Sequence, residues 1–416
     1  MLAMYKEYKW QLVYIMLFAS IVNYMDRINL SIANTTIRAE FGMTDIKMGF
    51  LLSAFMWSYA LSNLFAGGLV DKLGINRVLV WSLLLWSFVT VLGGFSVGFF
   101  SLCITRIILG IAESPFFIIG GKITQRYFIK KQRGVASSII NLGMMVANGF
   151  APPLLTFLII GFGWRGMFII LGILGFLVAF LWIKFYQKDD EKYVVNEGGD
   201  ENEPKSTIKF SSWALFKHPT SWWLNLGNVG NSYLFFFYFT WLPTYLIDAK
   251  HMSLKNAGWV AAIPFIAGAF AIPIGGYLSD LLIKRGINVI RARLIPVVVG
   301  SLLAGSTALL VNYVDNFNMV ILLLTVSTFA VSARAGILWA LVGDISPKEV
   351  AGTFGGMQNF ANFIGGALAP IGTGYLLSMT GRDYNFVFIV SGALSILGSI
   401  CYAMIRRSIL IKEIAI

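Results

Sequence analysis

Residues 188–206 read KDDEKYVVNEGGDENEPKS, the core of the one long polar segment in a chain of 416 residues that is 57% hydrophobic and 12% charged. Soluble domains carry about 25% charged residues, so this chain lacks the charges to cover a surface facing water. It reads as an integral membrane protein, and its 42 glycines agree, since glycine is commoner in transmembrane helices than in soluble ones. Working outward from the polar segment, apolar runs of roughly 20 residues, the length that crosses a bilayer as a helix, occur six times on each side. They lie near 10–33, 46–70, 78–97, 98–121, 134–160 and 165–186, then near 219–247, 255–279, 292–313, 317–343, 350–378 and 384–405. The reading is an all-α protein of twelve transmembrane helices: a six-helix half over 1–186, a cytoplasmic linker over 187–217 and a second six-helix half over 218–416.

The halves repeat each other. At an offset of 209, Met43, Thr44, Gly49, Gly67, Leu69 and Asp71 match Met252, Ser253, Gly258, Gly276, Leu278 and Asp280. At an offset of 218, Gly134, Asn141, Ala151, Pro152 and Phe168 match Gly352, Asn359, Ala369, Pro370 and Phe386. Parallel repeats about an axis along the membrane normal suit a transporter whose halves rock around a central site.

A net charge of +12 raises the question of a nucleic-acid partner, and the placement of the charge argues against one. With the N-terminus inside, basic residues such as Lys72, Arg77, Arg126, Arg133, Arg285 and Arg293 gather in the inner connections. The outer ones hold Arg38, Lys47, Arg165, Lys250, Lys255 and Arg382. That asymmetry is the positive-inside rule, which places both termini in the cytoplasm and needs no polyanion. Cys103 and Cys401 fall in apolar runs and indicate neither a disulfide framework nor a metal site. The first run is too long for a cleaved signal peptide and is expected to remain as the first helix.

Against that background a few ionisable residues stand out. Residues 106–115, RIILGIAESP, put Arg106 and Glu113 two helical turns apart on one face, roughly 10 Å along the axis. The first run carries Asp26 and Arg27. Each such charge costs about 2.5–3.5 kcal/mol to insert at a membrane centre, which makes intramembrane ionisable residues functional candidates by default. Two acids with two bases suit a neutral network facing a watery cavity; a structural ion-pair set locking helices together is the alternative.

After the second run comes GGLVDKLGINR, residues 67–77. Its Gly67, Asp71, Lys72, Gly74 and Arg77 are similar to the loop between helices two and three of the major facilitator superfamily, with a degenerate second copy in GYLSDLLIKRG, 276–286. That resemblance implies the superfamily's fold and a role for the loop as a conformational latch. NYMDRINLSIA (23–33), LLSAFMWSYAL (51–61), RIILGIAES (106–114) and NGFAPPLLTFLI (148–159) further resemble the anion:cation symporters of that superfamily, which include carriers of galactonate, glucarate and hexuronates, and sialin.

The resemblance implies roles. Glu113 stands where the family has its proton-coupling glutamate, and Asp26 matches a second protonatable acid. Arg27 matches the arginine that engages the substrate carboxylate, for which a planar guanidinium fork is well shaped. Arg106 is expected among the substrate-binding residues and, in one state, to hold Glu113 or Asp26 ionised. Tyr24, Tyr59, Trp339 and Asn359 match positions lining the cavity, with Gln358 and Asn362 as weaker candidates. The implied cargo is a small organic anion, moved with protons (or sodium) by a monomer in the inner membrane, with no cofactor.

Lys122 is read as an interfacial anchor. Arg334 fits no family position: it is either a second carboxylate receptor or a residue near the cytoplasmic mouth with no part in binding, and the second is preferred. The sequon at Asn34 is expected outside. Rival classes fare worse. An organophosphate exchanger would want a basic residue in the core of the run at 219–247, which has none. A multidrug antiporter leaves Arg27 and Arg106 unexplained. A membrane enzyme would need a catalytic constellation, and His218 and His251 offer none.

Overall fold

The structure is a computed structural model that describes residues 2–186, 212–347, 350–405 and 409. Of the linker expected over 187–217, residues 187–211 lie outside the described residues and 212–217 form a short helix. Among the described residues regular structure is helical throughout. The helices in chain order are α1 (Leu2–Ile32), α2 (Asn34–Phe41), α3 (Asp45–Leu73), α4 (Ile75–Gly94), α5 (Phe99–Glu113), α6 (Phe116–Tyr127) and α7 (Lys130–Phe185). There follow α8 (Ser212–Lys217), α9 (Pro219–Asp248), α10 (Leu254–Lys284), α11 (Val289–Leu310), α12 (Phe317–Ile345), α13 (Ala351–Met379) and α14 (Tyr384–Ala403). Each of the twelve apolar runs is helical.

Contacts divide the chain into two units. The first comprises Met1–Glu203 with Ser253–Ala262, and the second Pro204–Met252 with Ile263–Ile416. In the first, α1 packs on α7, α3 on α5, and α4 on both α5 and α7. Trp86, Trp182, Phe116, Tyr127 and Phe168 are fully buried there. In the second, α9 packs on α13 and α14, and α11 on α12 and α14. Its core is built on Leu224, Val297, Leu341, Phe354 and Tyr402. Apolar side chains such as Phe65, Trp81, Phe100, Phe157 and Phe270 remain exposed, as helices facing lipid require.

Three runs fold differently from the simple expectation. The helix expected over 98–121 is broken, with α5 ending at Glu113 and α6 starting at Phe116. Pro115 has no N–H to give the Ile111 carbonyl, which accepts from the Ser114 N–H at 3.4 Å instead. Glu113 thereby comes to lie at a helix end. The runs at 134–160 and 165–186 join into α7, interrupted at Gly163 with φ 71° and ψ 169°.

Among the described residues nine helical stretches are long and apolar enough to cross a membrane, α5 and α6 counting as one and α7 covering two runs; α1 and α9 fall short of that test. Their lengths, 31 and 30 residues, are ample. Polarity separates them from the rest: α1 carries Asn23, Asp26, Arg27 and Asn29, and α9 carries Asn225, Asn228, Asn231 and Ser232. The first long helix of each unit carries a cluster of polar groups.

Candidate functional site

The site in the first unit is assembled on α1, α3, α5 and α6. Gly110 lies one turn from both Arg106 and Glu113 and lets their face of α5 approach α3 closely. A Cβ there would stand 2.6 Å from the Phe55 carbonyl oxygen and 2.9 Å from the Tyr59 nitrogen. Arg106 and Glu113 are both buried, as is Asp26. The spacing read from the sequence therefore holds, and both charges turn inward.

Arg27 is the centre of the arrangement. Its Nε donates to Glu113 Oε2 at 2.9 Å, an ion pair with 5% and 0% of the two side chains exposed. Aromatic rings surround the guanidinium carbon at 4.6 Å (Tyr59), 4.8 Å (Tyr24), 5.0 Å (Phe55) and 6.0 Å (Phe117), measured to the ring centroids. Such rings attract a cation through their quadrupoles and shield it from water. Several buried polar atoms find no partner in the protein: Arg27 Nη2, Glu113 Oε1, both Asp26 carboxylate oxygens and the Asn23 amide. An unbonded buried polar atom is costly, so a cluster of them beside one ion pair is chemistry retained for something other than stability.

Arg106 reaches α1 through neutral acceptors. It donates to the Asp26 backbone carbonyl at 2.9 Å and to Asn29 Oδ1 at 2.8 Å, with the Phe168 ring 5.0 Å away. It pairs with neither carboxylate; Arg27 holds Glu113 instead. The reason is reach: Arg106 lies two turns back along α5 and meets α1 beside Asp26, whereas Arg27 faces Glu113 directly. Asn29, Phe55 and Phe117 are the members of this site that sequence reading missed. Asn29 carried a usable signal, an amide one turn beyond Asp26 in an apolar run.

The remaining predicted residues belong to the second unit. Trp339, on α12, is 57% exposed, and a Cβ on Gly355 of α13 would lie 3.2 Å from its ring. Asn359 is half-buried on α13. Its neighbour Gln358 is buried, with a backbone carbonyl that accepts from Asn228 Nδ2 at 2.8 Å. Arg334 is buried and donates to Asn228 Oδ1 at 2.7 Å, Ser232 Oγ at 3.2 Å and Tyr402 Oη at 3.4 Å. Ser232 donates in turn to Asn362 Oδ1 at 2.5 Å. Asn225, Asn228 and Ser232 share one face of α9 by their spacing, a pattern legible in the sequence once α9 is known to be a helix.

At the helix ends, Asp71 closes α3 and pairs with Lys122 of α6. Lys122 is thus the partner of the loop acid. Lys72 and Arg77 are exposed, Gly67 is half-buried, and Gly74 ends α3 with φ 83°. The repeat copy uses a cation between two acids: Arg293 bonds Asp280 at 2.6 Å and Asp344 at 3.0 Å. Asn34 is fully buried, with neither amide atom bonded, so the sequon is closed to a glycan in this fold. Near it Glu40 accepts from Trp164 Nε1 at 2.6 Å and pairs with Arg165.

Residues 16–370 match the profile of the Major Facilitator Superfamily. A protein named probable L-galactonate transporter, from Escherichia coli (strain K12), is 31% identical over 94% of this chain and 88% of its own length. A protein named probable galactarate/D-glucarate transporter, from Bacillus subtilis (strain 168), is 32% identical over 97% and 94%. Among solved structures, a bacterial homologue of the human lysosomal transporter Spinster superposes with a TM-score of 0.80 at 18% identity, covering 97% of this chain and 99% of that one. A D-xylose–proton symporter gives 0.75 at 12% identity, covering 96% and 98%.

Proposed function

Since the chain belongs to the Major Facilitator Superfamily, we propose that it carries a sugar acid, of the hexonate, hexuronate or aldarate class, across the cell membrane by symport with a proton. It is a membrane transporter and not an enzyme. Its termini face the cytoplasm and it acts as a monomer. The observation that carries the reading is the buried Arg27–Glu113 pair in its aromatic ring, with one donor and one acceptor left over.

The chemistry follows from that pair. A substrate carboxylate is a competitor for Arg27, whose unused Nη2 offers the second prong of a bidentate contact. Once the substrate takes the guanidinium, Glu113 is a buried carboxylate without its counter-charge, and such a group binds a proton in preference to carrying a bare charge. Binding of the anion and binding of the proton therefore favour each other. Asp26, one residue earlier with both oxygens unbonded, is the second acid in the relay. The coupling has a use: an anion entering a negative-inside cell works against about 2.3 kcal/mol per charge per 100 mV, and each accompanying proton offsets one charge.

Uptake by proteoliposomes across hexonates, hexuronates, aldarates and phosphorylated sugars, under separate proton and sodium gradients, tests this reading. Sugar-acid accumulation driven by an inward proton gradient is expected. Glu113→Gln is expected to abolish accumulation while leaving exchange of internal for external substrate. Accumulation by that variant at the parent level, or dependence on sodium alone, removes Glu113 from the coupling role.

A further inference from the structure

The two buried acids of the first unit belong to different sides of α1. Neighbouring residues on a helix point about 100° apart, so Asp26 and Arg27 leave α1 in different directions. Arg27 turns to its aromatic ring and to Glu113. Asp26 turns toward α4 and the middle of α5, where Thr90 and Arg106 stand beside it. The Arg27 side chain keeps 5% of its surface open, next to half-buried Tyr24 and Phe117. Asn23, Asp26 and Glu113 keep none. A proton moving between the two acids therefore travels inside the protein, away from the side where a substrate meets Arg27.

Two neutral side chains stand on that path. Asn23, one turn before Asp26 and Arg27 on α1, lies between their directions and faces Glu113. Thr90, on α4, faces Asp26. Each is close enough to act on its acid, yet neither closes a well-formed hydrogen bond. Both Asp26 oxygens, both polar atoms of the Asn23 amide, the Thr90 hydroxyl and Glu113 Oε1 are buried without a partner among the described residues. Arg106 does not supply one, being bonded to the Asp26 backbone carbonyl and to Asn29. Unpaired polar atoms in one buried place are costly, and ordered water is what usually joins them. A hydroxyl both gives and accepts a hydrogen bond, and an amide does so with separate atoms, so each can hold such a water without ionising.

We propose that Asn23 and Thr90 hold the water that carries the proton between Asp26 and Glu113, and so act as positioning residues for coupling with no part in gripping the substrate. The proposal rests on the reading that the chain is a proton symporter, and adds the route. The transfer balances. Protonated Asp26 gives its hydrogen to the water, and the water passes one of its own to Glu113. Asp26 ends as a carboxylate, Glu113 as a neutral acid, and the water is restored. The charge of the cluster is unchanged, so the step calls for no further counter-ion. The route also separates two tasks on one helix: the aromatic side of α1 serves the substrate, and the side facing α4 serves the proton.

The test uses proteoliposomes of the full chain and labelled galactarate, and compares accumulation driven by an inward proton gradient with exchange of internal for external galactarate. Exchange needs no release of the proton, so it reports folding and substrate binding. Thr90→Val, close in shape but without the hydroxyl, is expected to slow accumulation about tenfold or more relative to exchange, a modest share of what a positioned proton carrier contributes. Thr90→Ser, which puts the hydroxyl back, is expected to restore the parent ratio. Asn23→Leu, a second and independent removal, is expected to lower the ratio in the same direction. An unchanged ratio in both variants, or Thr90→Ser as slow as Thr90→Val, overturns the proposal while the symport reading stands. A parent that exchanges galactarate but accumulates none under the proton gradient overturns the symport reading, and the proposal falls with it.

Discussion

The two units are built from matching helices and treat charge in opposite ways. In the first, two cations and two acids are buried together, and the central cation is bonded to an acid at 2.9 Å. In the second, a single buried arginine among the described residues sits among amides and hydroxyls. A paired acid and base can change protonation when a third charge intrudes, which is what coupling to a proton requires. An arginine among neutral groups offers a fixed positive point. The difference teaches that pseudo-symmetry of backbone need not extend to electrostatics. The loop copies show the same: Asp71 meets one lysine, whereas Asp280 shares Arg293 with Asp344.

That contrast can be broken most directly by removing each arginine. Arg27→Met leaves Glu113 buried without its counter-ion and should cost about 3–5 kcal/mol, the usual result of breaking a buried pair from one side. Arg334→Met strands no opposite charge and should cost about 1–2 kcal/mol, from the orphaned Asn228 and Ser232 oxygens. Thermal unfolding in detergent compares the two; equal losses would mean that the first pair is not electrostatically special. A milder probe is Arg27→Lys, which keeps the charge but loses the fork and the flat face toward Tyr24 and Tyr59. Substrate affinity should fall about tenfold to a hundredfold in binding titrations, and an unchanged affinity would take the carboxylate away from Arg27.

Packing should be alike where charge is not. Gly110→Ala forces a methyl to 2.6 Å from the Phe55 carbonyl, and Gly365→Ala to 2.5 Å from the Val229 carbonyl. Each should destabilise by about 1–3 kcal/mol, as overpacking does. Gly110→Ala should also depress transport, because it displaces the face holding Arg106 and Glu113. The smallest effect belongs to Glu40, at the periphery. Its hydrogen bond from Trp164, with the Arg165 pair, holds its carboxyl below the usual range against a small opposing effect of burial. A carboxyl whose folded value is depressed stabilises the fold above its unfolded value, about 4.3, and loses that contribution as pH falls through the folded one. Glu40→Gln should therefore lower thermal stability slightly at pH 7, by about 0.5 kcal/mol or less for so exposed a pair, and the difference should shrink under acid. A gap that stayed constant from pH 7 to pH 3 would dissociate Glu40 from the effect.

Much of this was open to reading without coordinates. Twelve apolar runs, the doubling, the loop around Asp71 and the intramembrane set Asp26, Arg27, Arg106 and Glu113 all follow from composition and local spacing, because the bilayer demands long apolar helices and penalises every stray charge. The sequence could even place Arg106 and Glu113 on one face, since helical geometry alone fixes that. Which charge meets which could not be read so. Arg27 pairs with Glu113 across 86 positions of chain, and Arg106 turns to Asn29, because the break at Pro115 and the close approach at Gly110 set how α5 lies against its neighbours. Lys122 meeting Asp71, Asn34 being closed off, and Arg334 being buried beside Asn228 and Ser232 were settled in the same way, by contacts between helices far apart in sequence. Local pattern determines where a charge must be buried, and tertiary packing decides whether it finds a partner there.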